Sequence, residues 1–185
     1  VKVSNGKIVD RLSTFVNPEE PIPYEITKLT SITDDDVKDA DPISVVMPRF
    51  IEFCEGCVWV AHNAEFDVNF VKQKCRELGT PQDPVYIDTL PLSRVQLPGH
   101  SKFTLDAVAK ALGVDLGHHH RAVDDAECTA GIFIKMLEQL EAEGMQTLAD
   151  INRKGSTSTS AISKLRPSRC TIFAKNELEG FTCII

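Results

Sequence analysis

Aromatic residues make up only 6% of the 185-residue chain, and no stretch approaches the roughly 18 consecutive apolar residues of a membrane-spanning helix. No charged-then-apolar leader opens it, and Cys183 stands one place too late for a prenylation signal. The expectation is a soluble, cytoplasmic protein without membrane attachment. Basic residues are also in deficit: 20 Lys and Arg face 27 Asp and Glu, for a formal net charge of −7. That balance excludes a protein that holds nucleic acid by wrapping many phosphates on a basic face. It leaves open a metal-dependent nuclease, in which acidic side chains bind cations and the cations bind the phosphate.

Among the six cysteines, only Cys54 and Cys57 form a Cys-x-x-Cys pair. A structural zinc site needs two more ligands, and the run His118, His119, His120 is the only other source. The simpler reading has Cys54 closing a helix and Cys57 opening a buried strand, both thiols packing as small apolar groups. No arrangement suited to a covalent nucleophile stands out.

With 42% hydrophobic and 25% charged residues, the chain can build one main core. Asn5-Gly6 is a two-residue hairpin signal between a strand end at 1–3 and a returning strand at 7–16 that carries Ile8, Leu12 and Phe15. Pro18, Pro21 and Pro23 then impose an extended loop. Short helices are expected at 24–30 and 33–38, the second capped by Thr33 with acidic residues in its first turn. Residues 42–55 form an amphipathic helix that turns Val45, Val46, Phe50, Ile51 and Phe53 to a core.

The apolar run 57–61 reads as a strand buried on both faces, followed by a turn at 62–65 and a helix at 66–78. A short strand at 85–87, a helix at 104–112 and a long helix at 121–143 complete the pattern. On the last helix, Val123, Ala126, Ala130, Phe133, Ile134, Leu137 and Leu140 make the apolar stripe. The class is α/β, and open α/β sheets build their sites at the C-terminal ends of central strands.

Two stretches carry chemistry: HNAEFD, from His62 to Asp67, and HRAVDDA, from His120 to Ala126. Each offers a carboxylate, and His120 precedes Asp125 by five residues. Carboxylates supply hard oxygen ligands for Mg²⁺ or Mn²⁺, and a histidine that titrates near neutrality can deprotonate an attacking water. Asp67 alone could merely complement a helix dipole, worth about 0.3–1 kcal/mol.

These stretches, with GKIVDRLSTFVNPEEPIPYEITKLTSIT, YIDTLPLSR and FTLDAVAKALGV, resemble the DEDDh family of 3′-5′ exonucleases, similar to the ε subunit of the bacterial replicative polymerase. The resemblance implies a ribonuclease H-like fold, two-metal hydrolysis with two Mg²⁺ or Mn²⁺ ions, and a single-stranded DNA or primer 3′ end as substrate. It assigns Asp67 and Asp125 as metal ligands and catalytic residues, and His120 as the general base. His62 and Asn63 fix the turn that aims Asp67 and, with Phe66, are candidates for substrate contact. Asp124, His118 and His119 are expected to be solvated. Asp88 is expected to open a loop as a supporting carboxylate.

The family's first two carboxylates lie in an Asp-x-Glu-Thr strand, and no such motif occurs in this chain. The sequence therefore reads as a domain at 1–144 without its first strand, a Ser/Thr/Gly-rich linker at 145–164, and a stub at 165–185. That stub resembles the resumption of the polymerase-and-histidinol-phosphatase (PHP) domain in PolC-type DNA polymerase III, whose polymerase domains would be the partners. Alternatives are an inactive fragment with a structural or partner-binding role, and an RNA-trimming DEDDh exonuclease. Without the first strand, its neighbours would be left with unpaired backbone groups.

Overall fold

The computed structural model describes residues 1–116, 122–145 and 182–185. The linker, most of the stub and the histidines at 118–120 fall outside these residues.

Asn5 and Gly6 both adopt positive φ, 49° and 72°, the two-residue turn whose twist suits a hairpin. They join β1 (Lys2–Ser4) to β2 (Lys7–Asp10) in antiparallel pairing. The returning strand is shorter than its sequence suggests: after Asp10 it has no partner, because β1 offers only three residues and its register already slips at Lys2 and Val3. Leu12 and Val16 instead line a cleft, and Phe15 is 47% exposed.

After the prolines come α1 (Tyr24–Thr30) and α2 (Asp34–Val37). The α2 start is a capping box in which Thr33 and Asp36 satisfy each other's backbone N–H. Next is α3 (Ile43–Phe53), where Val46 and Met47 are buried and Phe50 meets Trp59 edge-on at 5.8 Å. Val45, expected in the core, is 43% exposed; Met47 takes the inward place.

Then follow β3 (Val58–Ala61), α4 (Ala64–Glu77), β4 (Tyr86–Asp88), α5 (Thr89–Gln96), α6 (Leu105–Leu112), α7 (Ala122–Ala142) and β5 (Thr182–Ile184). The sheet runs β2-β1-β5-β3-β4, with β5 antiparallel to β1 and parallel to β3. The expected gap beside β1 and β3 is therefore absent, since the chain's own last strand occupies it.

Side chains alternate cleanly across this sheet. Val60, Ile87 and Ile184 face one core with Leu92, Val108, Phe133 and Met136, while Trp59, Tyr86 and Cys183 face the other with Met47, Val68 and Cys75. Helices on both faces explain why β3 is uniformly apolar. Burying each large side chain contributes about 1.5–3 kcal/mol. The apolar stripe of α7 is wider than expected, with Cys128, Thr129, Ile132 and Met136 also buried. The reason is that α7 packs against α5 and α6 as well as the sheet.

Candidate active site

β3 ends at Ala61, and the chain reverses through Asn63, whose φ of 69° and ψ of 49° are left-handed. Asn is among the few non-glycine residues that tolerate this conformation. The sharp reversal starts α4 at Ala64, two residues ahead of expectation, with Ala64 fully buried. Asp67 lies in the first turn, as the motif implied.

His62 braces this reversal. Its Nε2 lies 2.8 Å from the Phe103 carbonyl, which can only accept, so Nε2 carries a proton. Its Nδ1 lies 2.9 Å from the Thr89 hydroxyl, which also approaches the Ala61 carbonyl at 3.2 Å. Both ring nitrogens are thus committed within the protein.

The Asn63 backbone N–H donates to Asp88 Oδ1 at 3.0 Å, and the same oxygen accepts from Leu90 N–H at 2.9 Å. Asp88 does not open a loop: it caps α5, a helix absent from the sequence-based expectation. The signal was available, because Asp88 followed by Pro91 within one turn is a helix-start pattern.

Asp67 is half-buried, and burial pushes its carboxyl above the usual range; the nearby Asp88 charge adds to this, against a hydrogen bond to its own backbone. A carboxylate disfavoured in this way gains most from a nearby cation. It lines a cleft of about 500 Å³ with Phe66 and Phe70 of the same helix, and with Ile184 and Ile185. Phe66 and Phe70 are 74% and 53% exposed, so two aromatic faces one helical turn apart are open to a ligand. Phe70 was not singled out from sequence, although its spacing from Phe66 places both on one face.

Ala122, Val123 and Ala126, from the first turns of α7, line the same cleft, and half-buried Asp125 belongs to that segment. Asp124 lines a different hollow of about 250 Å³ with Asp115 and Glu127. Burial first, then the charges of Asp125, Asp106 and Asp115, push the Cys128 thiol up to about 11. His120 lies outside the described residues. Among the described residues no group of three or more His, Cys, Asp or Glu is placed to hold a metal. The donors at hand, Asp67 and Asp125, are the hard oxygen type that suits Mg²⁺ or Mn²⁺.

The sequence pattern of the exonuclease family RNase_T matches residues 1–133. The chain belongs to this exonuclease family. The chain is 46% identical to a PolC-type DNA polymerase III of Caldanaerobacter subterraneus subsp. tengcongensis over 96% of its length. It is also 46% identical to that of Clostridium perfringens and 42% identical to that of Staphylococcus aureus, again over 96% of its length. It spans only 13%, 12% and 12% of these three relatives.

Among solved structures, Exonuclease X in complex with 5′ overhanging duplex DNA is similar with a TM-score of 0.61 and 32% identity, covering 80% of this chain and 85% of that one. The nuclease domain of 3′hExo, a DEDDh family member bound to rAMP, matches at a TM-score of 0.59 and 22% identity over 72% of this chain and 74% of that one, which shows the shared fold. The mixed sheet with flanking helices is thus the expected ribonuclease H-like exonuclease fold. No helix among the described residues is long and apolar enough to cross a membrane.

Proposed function

We propose that this exonuclease is the 3′-5′ proofreading module of a PolC-type DNA polymerase III, acting in the cytoplasm on an unpaired DNA 3′ end. The observation that carries the reading is Asp67: a half-buried carboxylate of raised proton affinity, at the head of α4, in a cleft walled by exposed Phe66 and Phe70. Members of the family generally use divalent metal ions, and Mg²⁺ or Mn²⁺ held by Asp67 and Asp125 would supply charge stabilisation for the phosphate and activation of water. His120 would be the base for a water at that site. Phe66 and Phe70 stack terminal bases, which favours single-stranded DNA because paired bases are already stacked. His62 and Asn63 hold the turn that aims Asp67. The polymerase domains of the same chain deliver the primer end.

The four-carboxylate site of the DEDDh pattern has two members here, Asp67 and Asp125. The test compares the 185-residue chain with the same chain preceded by an Asp-x-Glu-Thr strand, on matched 3′-labelled DNA and RNA oligonucleotides. The extended protein should release nucleoside 5′-monophosphates from DNA 3′ ends only with Mg²⁺ or Mn²⁺, and the 185 residues alone should not. Chelator-resistant or 5′-first digestion would overturn the reading. Preference for RNA would replace proofreading by RNA trimming, and inactivity of both would favour a structural role.

A further inference from the structure

Two thiols meet where the central strand touches the end of a helix. Cys54, which ends α3, and Cys183, in the middle of β5, place their Sγ atoms 2.9 Å apart, with the residues 4% and 0% exposed. A disulfide needs S–S of about 2.05 Å, so closure calls for a movement of roughly 1 Å. The partners belong to segments 129 residues apart in sequence, so the contact is tertiary.

The pair is chemically unequal. The hydrogen bond with Cys54 draws the Cys183 thiol below its ordinary range, with the Val1 amino group and then Lys2 assisting against burial, while the same bond and burial hold Cys54 high. Cys183 borders the main cleft, whereas Cys54 borders a second one with half-buried Cys57. Cys183 is the thiol of the pair that a small disulfide in the main cleft would reach. The Cys57 thiol is occupied with the Glu55 carbonyl at 3.6 Å, and burial raises it.

We propose that Cys54 and Cys183 form a redox-active dithiol whose disulfide fastens β5 to the end of α3, and that a low-molecular-weight disulfide such as oxidised glutathione closes it. Cys183 gives its proton to solvent, and its thiolate attacks one sulfur of the small disulfide, forming a mixed disulfide and releasing one thiolate that is protonated from solvent. Cys54, having given up its proton, then attacks the Cys183 sulfur and releases the second thiolate, which takes up that proton. Two protein thiols are oxidised and one small disulfide is reduced to two thiols. Fastening matters because β5 has three residues and carries Ile184, which lines the same cleft as Asp67.

The test is incubation of the folded chain with oxidised glutathione, followed by its removal, alkylation in urea, non-reducing digestion and mass spectrometry. A Cys54–Cys183 linked peptide should form while the other four of the six cysteines alkylate. It should persist in Cys57→Ser and vanish in both Cys54→Ser and Cys183→Ser. Amide exchange at residues 183–185 should slow at least tenfold in the oxidised protein. The proposal fails if Cys54 pairs with Cys57, if glutathione stays on Cys183, if both thiols remain free under conditions that oxidise the urea-unfolded chain, or if exchange is unchanged. None of these readouts depends on nuclease activity.

Discussion

The Asp88 carboxylate accepts the Asn63 backbone N–H at 3.0 Å, tying the turn after β3 to the turn after β4. The same oxygen caps α5 through Leu90, so a single side chain sets two chain reversals at the strand ends. Replacing Asp88 by Ala removes a helix cap, worth about 0.5–2 kcal/mol, and one further hydrogen bond to a charged acceptor. The expected loss is about 2 kcal/mol in urea unfolding. A loss below about 0.5 kcal/mol would show that the tie contributes little.

Asp67 should trade stability for function. Its carboxyl is raised in the folded state, so the folded protein binds the proton more tightly than the unfolded chain does. Stability then falls as pH rises from the unfolded value through the folded one, and the cost persists at neutrality. Asp67→Asn should therefore raise the thermal midpoint at pH 7 and flatten this pH dependence in metal-free buffer. In the active, extended protein it should lower turnover by about 100-fold or more, given that several kcal/mol of charge stabilisation is at stake. A lower midpoint would contradict the burial argument.

Asp124 and Asp125 are neighbours in the first turn of α7, and the DEDDh pattern assigns metal binding to Asp125. Asp125→Asn should reduce turnover of the extended protein by about 100-fold or more, whereas Asp124→Asn, facing the hollow with Asp115 and Glu127, should stay within about twofold. Equal damage from the two, measured as single-turnover rates, would reverse the assignment.

Gly131 is required by contact, not by backbone conformation. A Cβ there would come within 2.7 Å of Val114 Cγ1. Val114 is β-branched and cannot easily turn aside. Ala normally gains about 1 kcal/mol over Gly inside a helix, but overpacking costs about 1–3 kcal/mol. Gly131→Ala should thus be net destabilising, seen as a lower denaturation midpoint; a stabilised variant would mean that α6 and α7 separate freely.

Ile184 tests the central strand directly. The residue is 2% exposed although it stands next to the last position of the chain. Truncation to Ala should cost about 2–4 kcal/mol if β5 belongs to the core. A change within about 0.5 kcal/mol, the usual range for a surface position, would place the segment outside the sheet.

Much of this architecture is local physics written into the residues. Asn5-Gly6 dictates the first hairpin because both positions accept positive φ. Thr33 with Asp36 dictates the start of α2, and the apolar run before His62 dictates a strand covered on both faces. The spacing within HNAEFD places Asp67 in the first turn of a helix.

What the residues could not determine depends on partners far away in sequence. The strand after Asn5-Gly6 stops at Asp10 because its partner runs out, a limit invisible in its own alternation. His62 has the composition of a site residue, yet Phe103 and Thr89 consume both its nitrogens, and only folding brings those groups to it. The central place in the sheet is the clearest case: Thr182–Ile184 reaches it from the far end of the chain, between β1 and β3. A three-residue apolar segment carries no address of its own. Backbone pairing on both edges and burial of Cys183 and Ile184 on opposite faces supply one only after the rest of the sheet exists.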